Sequence, residues 1–196
     1  VVDERTRKPG AREAIIAAAT GLIRQRGVSG TSISDVITAS GTSAGAIYHH
    51  FGSKERLVLE VGRAAMAVPM TMILATSTGL TPAQLFGAAF DRVTEDEATP
   101  ELLLQIWAGA KSDPGLWTLL MGEVGTVKGS IVTFIAGWCA EHAPGTDPAA
   151  VANIIMSLIT GFAVQRGLGL DVDQESYREL GVRLLASLGD AVPVPA

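Results

Sequence analysis

The side chains richest in chemistry stand together in "TSAGAIYHHFGSKERL", residues 42–57, where His49 and His50 adjoin Tyr48 and a Gly-Ser-Lys turn. Paired histidines suggest a metal site, a catalytic pair, or a surface built to touch a partner. Neighbouring residues on a helix point about 100° apart, so both rings cannot face one metal ion without distortion. The third histidine, His142, is far along the chain, and no cysteine or carboxylate cluster adjoins the pair. No nucleophile elbow, phosphate loop or zinc-helix spacing occurs, and "DVDQE" at Asp171–Glu175 lacks the glycine of an EF-hand loop. These residues predict no enzyme, no metal and no cofactor, which leaves a contact surface.

Helices must position that surface. Apolar residues recur at helical spacing almost throughout, without strand-turn-strand patterning, so the expected fold is all-α. A first helix over 10–26 carries Ile15, Ala19, Leu22 and Ile23 on one stripe and stops at Gly27. Thr31 is placed as N-cap of a short second helix, with Asp35 in its first turn and Gly41 at its end. Ser43 caps a third helix through His50, in which Ala44, Ile47 and Phe51 share the core face and Gly45, Tyr48 and His49 the opposite one. Ser53 caps a fourth, 53–76, kinked at Pro69. Further helices are expected at 82–97, capped by Thr81, then at 101–110, 114–121, 128–141, 148–167 and 174–188. The Val-Pro-Val-Pro-Ala end, from Val192, cannot continue a helix.

At 196 residues and 47% hydrophobic content the chain can bury a sizeable core. One cysteine, Cys139, excludes an internal disulfide, and no charged-then-apolar leader is visible, so the expected location is the cytoplasm. The charge-free run 64–90 is broken by Pro69, Gly79 and Pro82, and the run 148–165 reads as a buried helix; no membrane partner is expected. The net charge of −5 is uneven: residues 1–63 hold nine Lys/Arg against six Asp/Glu, or +3, leaving −8 for the remainder. Such asymmetry marks a nucleic-acid-facing module joined to an acidic one.

Two short helices joined by a glycine turn and packed on a first helix form a helix-turn-helix, whose second helix fits the major groove of double-stranded DNA. Gly45 lets the backbone approach closely, Tyr48 and His49 reach phosphates or base edges, and Lys54 at a helix start meets a phosphate. The stretch "TSISDVITASGTSAGAIYHHFGSKERLVLEV", Thr31–Val61, resembles the helix-turn-helix signature of TetR-family transcriptional regulators. It carries the pattern at Thr31, Ser32, Ile33, Asp35, Val36, Gly41, Ser43, Gly45, Ile47, Tyr48, His50, Phe51, Ser53, Lys54, Glu55 and Leu57, and departs from it at Ile37, Ser40 and Thr42. The resemblance implies that Thr31, Ser32, Tyr48 and Lys54 hold phosphates, that Thr42, Ser43, Ala44 and His49 lie nearest the bases, and that His50 meets a phosphate or braces the turn.

It also implies a homodimer on a palindromic operator, with a DNA-binding domain at 1–52 that includes a basic N-terminal arm. A regulatory and dimerisation domain at 53–196 follows, joined through the helix 53–76. A small-molecule effector, apolar because charged groups are sparse there, is placed among Met66, Met70, Phe86, Phe90, Trp107, Trp117, Met121, Phe134 and Trp138. Two stripes would carry the dimer interface: Val151, Ile154, Ile155, Leu158, Phe162 and Gln165, and Tyr177, Leu180, Gly181, Leu184 and Leu188. The expected function is an operator-binding repressor released by ligand. An activator, a ligand-independent DNA-binding protein and a helical small-molecule-binding protein are the alternatives.

Overall fold

The computed structural model describes residues 10–77 and 79–190. The expected basic arm and the end from Val192 lie outside them. Among the described residues the chain is all-α, with no strand. Its helices are α1 (Ala11–Arg26), α2 (Ile33–Ser40), α3 (Ala44–Phe51), α4 (Lys54–Gly62), α5 (Val68–Thr76), α6 (Pro82–Thr94), α7 (Thr99–Lys111), α8 (Pro114–His142), α9 (Pro148–Gly167) and α10 (Gln174–Ala186). A π-helical turn, Arg63–Ala67, joins α4 to α5, and a 3-10 turn, Ser187–Asp190, follows α10. Two compact units result: residues up to Val61 with Gln105–Leu119, and Gly62–Leu104 with residues from Leu120 onward.

In the first unit, α1 to α3 form the helix-turn-helix. Ile15, Ala19 and Ile23 of α1, Val36 of α2, and Ile47 and Phe51 of α3 are buried. The start of α4 belongs here too, since Leu57, Val58 and Val61 are buried, so the unit extends past the split expected after Gly52. Arg12 pairs with Glu60 and lies 5.7 Å from the Phe51 ring centre, tying α1 to the end of α3 and to α4.

The cap of α2 differs from expectation. Ser32, not Thr31, is the N-cap: its hydroxyl accepts from Asp35 N at 3.1 Å while the Asp35 carboxylate accepts from Ser32 N at 2.9 Å. Thr31 is 4% exposed and donates its hydroxyl to the Gly27 carbonyl at 2.8 Å. Gly41 ends α2 in the left-handed region, φ 65°, where a side chain would be strained. Beyond it, Ser43 and Ser53 cap α3 and α4 as expected, accepting from Ala46 N at 3.2 Å and Arg56 N at 3.3 Å.

The kink expected at Pro69 takes the form of the π turn. Val68 donates its N–H to Arg63 O, five residues back, because the Pro69 ring and its missing N–H disrupt the ordinary ladder. In the second unit, Phe86, Phe90, Ile131, Ile135, Val151, Ile155 and Phe162 make the core, with Phe90 and Phe162 centroids 4.6 Å apart. Cys139 is buried among them, which raises its thiol pKa. Arg178 on α10 grips Asp91 on α6 with two hydrogen bonds, 2.5 and 2.8 Å.

The break expected between 121 and 128 is absent: α8 is continuous through Gly122, Gly125 and Gly129. Glycine weakens a helix without ending it, and Thr126, Ser130 and Thr133 donate their hydroxyls to carbonyls four residues back. By length and composition alone, three helical stretches could cross a membrane: Lys54–Thr76, Pro114–His142 and Pro148–Gly167. In this fold Met70, Ile131, Ile135, Val151 and Ile155 from those stretches are core.

Candidate nucleic-acid interface

The face of α3 opposite the core stands open. Ser43, Ala44, Gly45, Tyr48, His49 and His50 are all exposed, Tyr48 by 54%, whereas Ile47 and Phe51 are buried. Ala44 therefore leaves the core face it was expected to share, because α3 has only begun there and Ile47 is the first residue deep enough to be covered. The His49 and His50 rings lie 5.2 Å apart at 66°, splayed edge-on as neighbours on a helix must be.

Thr42 and Lys54, both half-buried, flank this face, and Ser32 is exposed at the start of α2. Thr31 is not exposed beside them: its hydroxyl is buried against the Gly27 carbonyl, away from the position at which a phosphate was expected. Ser40 and Thr42, two departures from the family pattern, are bonded to each other, Oγ to Oγ1 at 2.7 Å, and so brace the turn that sets α3 against α2. The Asp35 carboxyl is held below its usual pKa, first by the Ser32 hydroxyl and N–H, and then by the Arg26 and Lys54 charges.

A second candidate site lies within the other unit. Met66, Pro69, Met70, Ile73, Ala89, Arg92, Val93, Val127, Ile131, Met156, Ile159 and Thr160 line a narrow, mostly apolar cleft, open at its mouth. Of the side chains expected at the effector site, Met66 and Met70 are there. Phe86 and Phe90 instead fill the core. Trp107 and Trp117 meet each other at 6.2 Å in the first unit, Lys111 lying 4.5 Å from the Trp117 ring centre. Phe134 and Trp138 pack on the core from α8, and Met121, half-buried, is not on the cleft wall. Large aromatic side chains are the most strongly buried by the hydrophobic effect, so size selected core rather than cleft. The signal that would have found the wall is spacing: 66, 69, 70 and 73, then 89, 92 and 93, then 156, 159 and 160 each trace one helix face.

The expected dimer stripes split in the same way. Val151, Ile155, Phe162 and Gly181 are buried within their own unit, because α9 has two apolar faces, one of which packs on α6, and α10 seats Gly181 against Phe86 of that helix. Leu158, Gln165, Tyr177 and Leu188 are half-buried, Tyr177 donating its hydroxyl to Leu158 O at 2.8 Å. Ile154, Leu180 and Leu184 remain exposed, and Leu168 and Leu170, not anticipated, are exposed beside the end of α9.

Comparison with known proteins agrees with this arrangement. The family model described as "Bacterial regulatory proteins, tetR family" matches residues 15–61. That described as "BetI-type transcriptional repressor, C-terminal" matches residues 83–190, more than half of the chain. The transcriptional repressor KstR2 of Rhodococcus jostii is 38% identical over 61 residues, 31% of this chain and 30% of that protein. The transcriptional repressor Rv3405c of Mycobacterium tuberculosis is 34% identical over 93 residues, 45% of this chain and 47% of that protein. The chain thus spans less than half the length of these curated relatives.

Among solved structures, GusR of Salmonella enterica superposes with a TM-score of 0.73 at 23% identity, covering 95% of this chain and 99% of that one. FadR of Bacillus subtilis, solved in complex with stearoyl-CoA, gives 0.71 at 17%, covering 89% and 97%. These two likenesses concern the fold. The helix-turn-helix with its open α3 face, the second all-helical unit and the two matched family models lead to one conclusion: the chain belongs to the TetR family of helix-turn-helix, DNA-binding transcriptional regulators.

Proposed function

We propose that this protein is a cytoplasmic repressor that binds a palindromic operator as a homodimer and is released by a small apolar ligand held in the cleft. The observation that carries the reading is the open face of α3, where Tyr48, His49 and the Ser43 start of the helix stand clear of the core beside Lys54. Phosphates would be held by Ser32, Tyr48, Lys54 and, on the flank, His50; Thr42, Ser43, Ala44 and His49 would lie nearest the bases. Relatives named as repressors support the sign of regulation.

A palindrome suits two copies, each offering one α3 to half-sites a helical turn apart. The exposed Ile154, Leu180 and Leu184 supply an apolar face for the second copy. Met66, Pro69, Met70 and Ile73 sit on the helical stretch that begins at Lys54, so a ligand that shifts this part of the cleft wall would act on the same stretch of chain that enters the DNA-binding helices. The stearoyl chain of the ligand in the FadR structure supports an apolar tail in a related fold. Release by 10- to 100-fold requires a coupling of about 1.4 to 2.8 kcal/mol between the two sites.

A mobility-shift assay with the DNA flanking its own gene tests the reading. Binding that disappears when either half of a palindrome is scrambled is expected, and binding indifferent to sequence would sink it.

A further inference from the structure

The cleft wall in the second unit carries a single charged side chain. Met66, Met70, Val93, Ile131 and Ile159 give it an apolar lining, and Arg92 on α6 is the cation among them. The guanidinium is bonded to Glu95, the residue that follows the end of α6, with both side chains about half exposed, 49% and 60%. An ion pair so open to water is weak and readily exchanged. Thr160 on α9 lines the same space, and its hydroxyl makes no hydrogen bond among the described residues. Thr71 and Thr94, by contrast, donate to carbonyls four residues back.

We propose that the cleft's occupant is a monocarboxylic acid with a slender apolar tail, its carboxylate paired with Arg92 and accepting from the Thr160 hydroxyl. The proposal rests on the reading of this cleft as the ligand site. A guanidinium offers a carboxylate two parallel hydrogen bonds, a better geometry than its exposed pair with Glu95 requires. One cation balances one negative charge; a polyanionic head would leave charge unpaired against an apolar wall. The tail must be slender because little of the cleft is open, and Met66 and Met70, unbranched and flexible, are the side chains able to yield to it.

Calorimetric titration of the full chain with decanoate, decanol and decyltrimethylammonium, each below its aggregation concentration, tests this. Decanoate should bind about 10-fold more tightly than decanol, the scale of one charge-assisted pair. Arg92→Gln should erase that preference while leaving decanol unchanged, and Met66→Trp, which narrows the cleft, should weaken both. Equal affinity for decanoate and decanol, tightest binding of the ammonium, or equal loss of acid and alcohol in Arg92→Gln overturns the acid assignment and leaves the cleft a ligand site. Binding of none of the three overturns the assignment together with the cleft reading.

Discussion

Thr31 and Ser32 are neighbours at the start of α2 and do opposite things: one hydroxyl is buried on Gly27, the other caps the helix and stays exposed. Both are β-hydroxyl residues able to cap, so residue type alone does not separate them; the chain's exit from α1 at Gly27 does. On α3 the helical period settles the matter, and Tyr48 and His49 are exposed where the sequence places them. The same distinction between a sequence-neutral and a sequence-reading contact can be measured. Lys54→Ala should weaken binding similarly for all DNA sequences and lower the salt slope by about 1. His49→Ala should change the ranking of operator variants, each base position contributing about 1–3 kcal/mol. An unchanged slope would remove Lys54 from the interface, and uniform weakening by His49→Ala would make it a phosphate contact.

At the level of elements, caps and stops were readable because they rest on local hydrogen bonds. Gly27, Gly41, Ser43, Ser53 and Thr81 each end or begin a helix where their chemistry says. The continuity of α8 was not readable, because a glycine's effect depends on what surrounds it. Two glycines make the contrast. A Cβ on Gly181 of α10 would lie 2.4 Å from Phe86 Cε1, so the glycine lets α10 seat against α6. A Cβ on Gly137 of α8 would meet nothing within 4 Å. Gly181→Ala should destabilise by about 1–3 kcal/mol through overpacking, whereas Gly137→Ala should stabilise by up to about 1 kcal/mol through helix propensity. Denaturant midpoints read both, and effects of the same sign would contradict this account of the packing. The cleft was legible only in part: each piece of its wall follows a helix face, but the wall is assembled from four helix stretches, and no single stretch announces which of its apolar faces will meet a void instead of a neighbour.

For the molecule as a whole, the all-α class and the DNA-binding end were evident from periodicity and from one dense motif, while the division of apolar surface between core and partner was not. Ile155 and Ile154 are adjacent, identical in type, and fall on opposite sides of that division. Leu184→Glu, on the exposed side, should yield a monomer by sedimentation with its helical content intact; a dimer would place the interface elsewhere. The exposed leucines of α10 also bear on how such a regulator counts itself. If they are covered only when two chains meet, pairing follows mass action, and the unfolding temperature should rise with protein concentration. Below the dimer dissociation constant, the active species grows as the square of chain number. Halving the copies in a cell would then quarter the pool able to occupy an operator, and two apolar side chains on α10 would set the threshold at which repression begins.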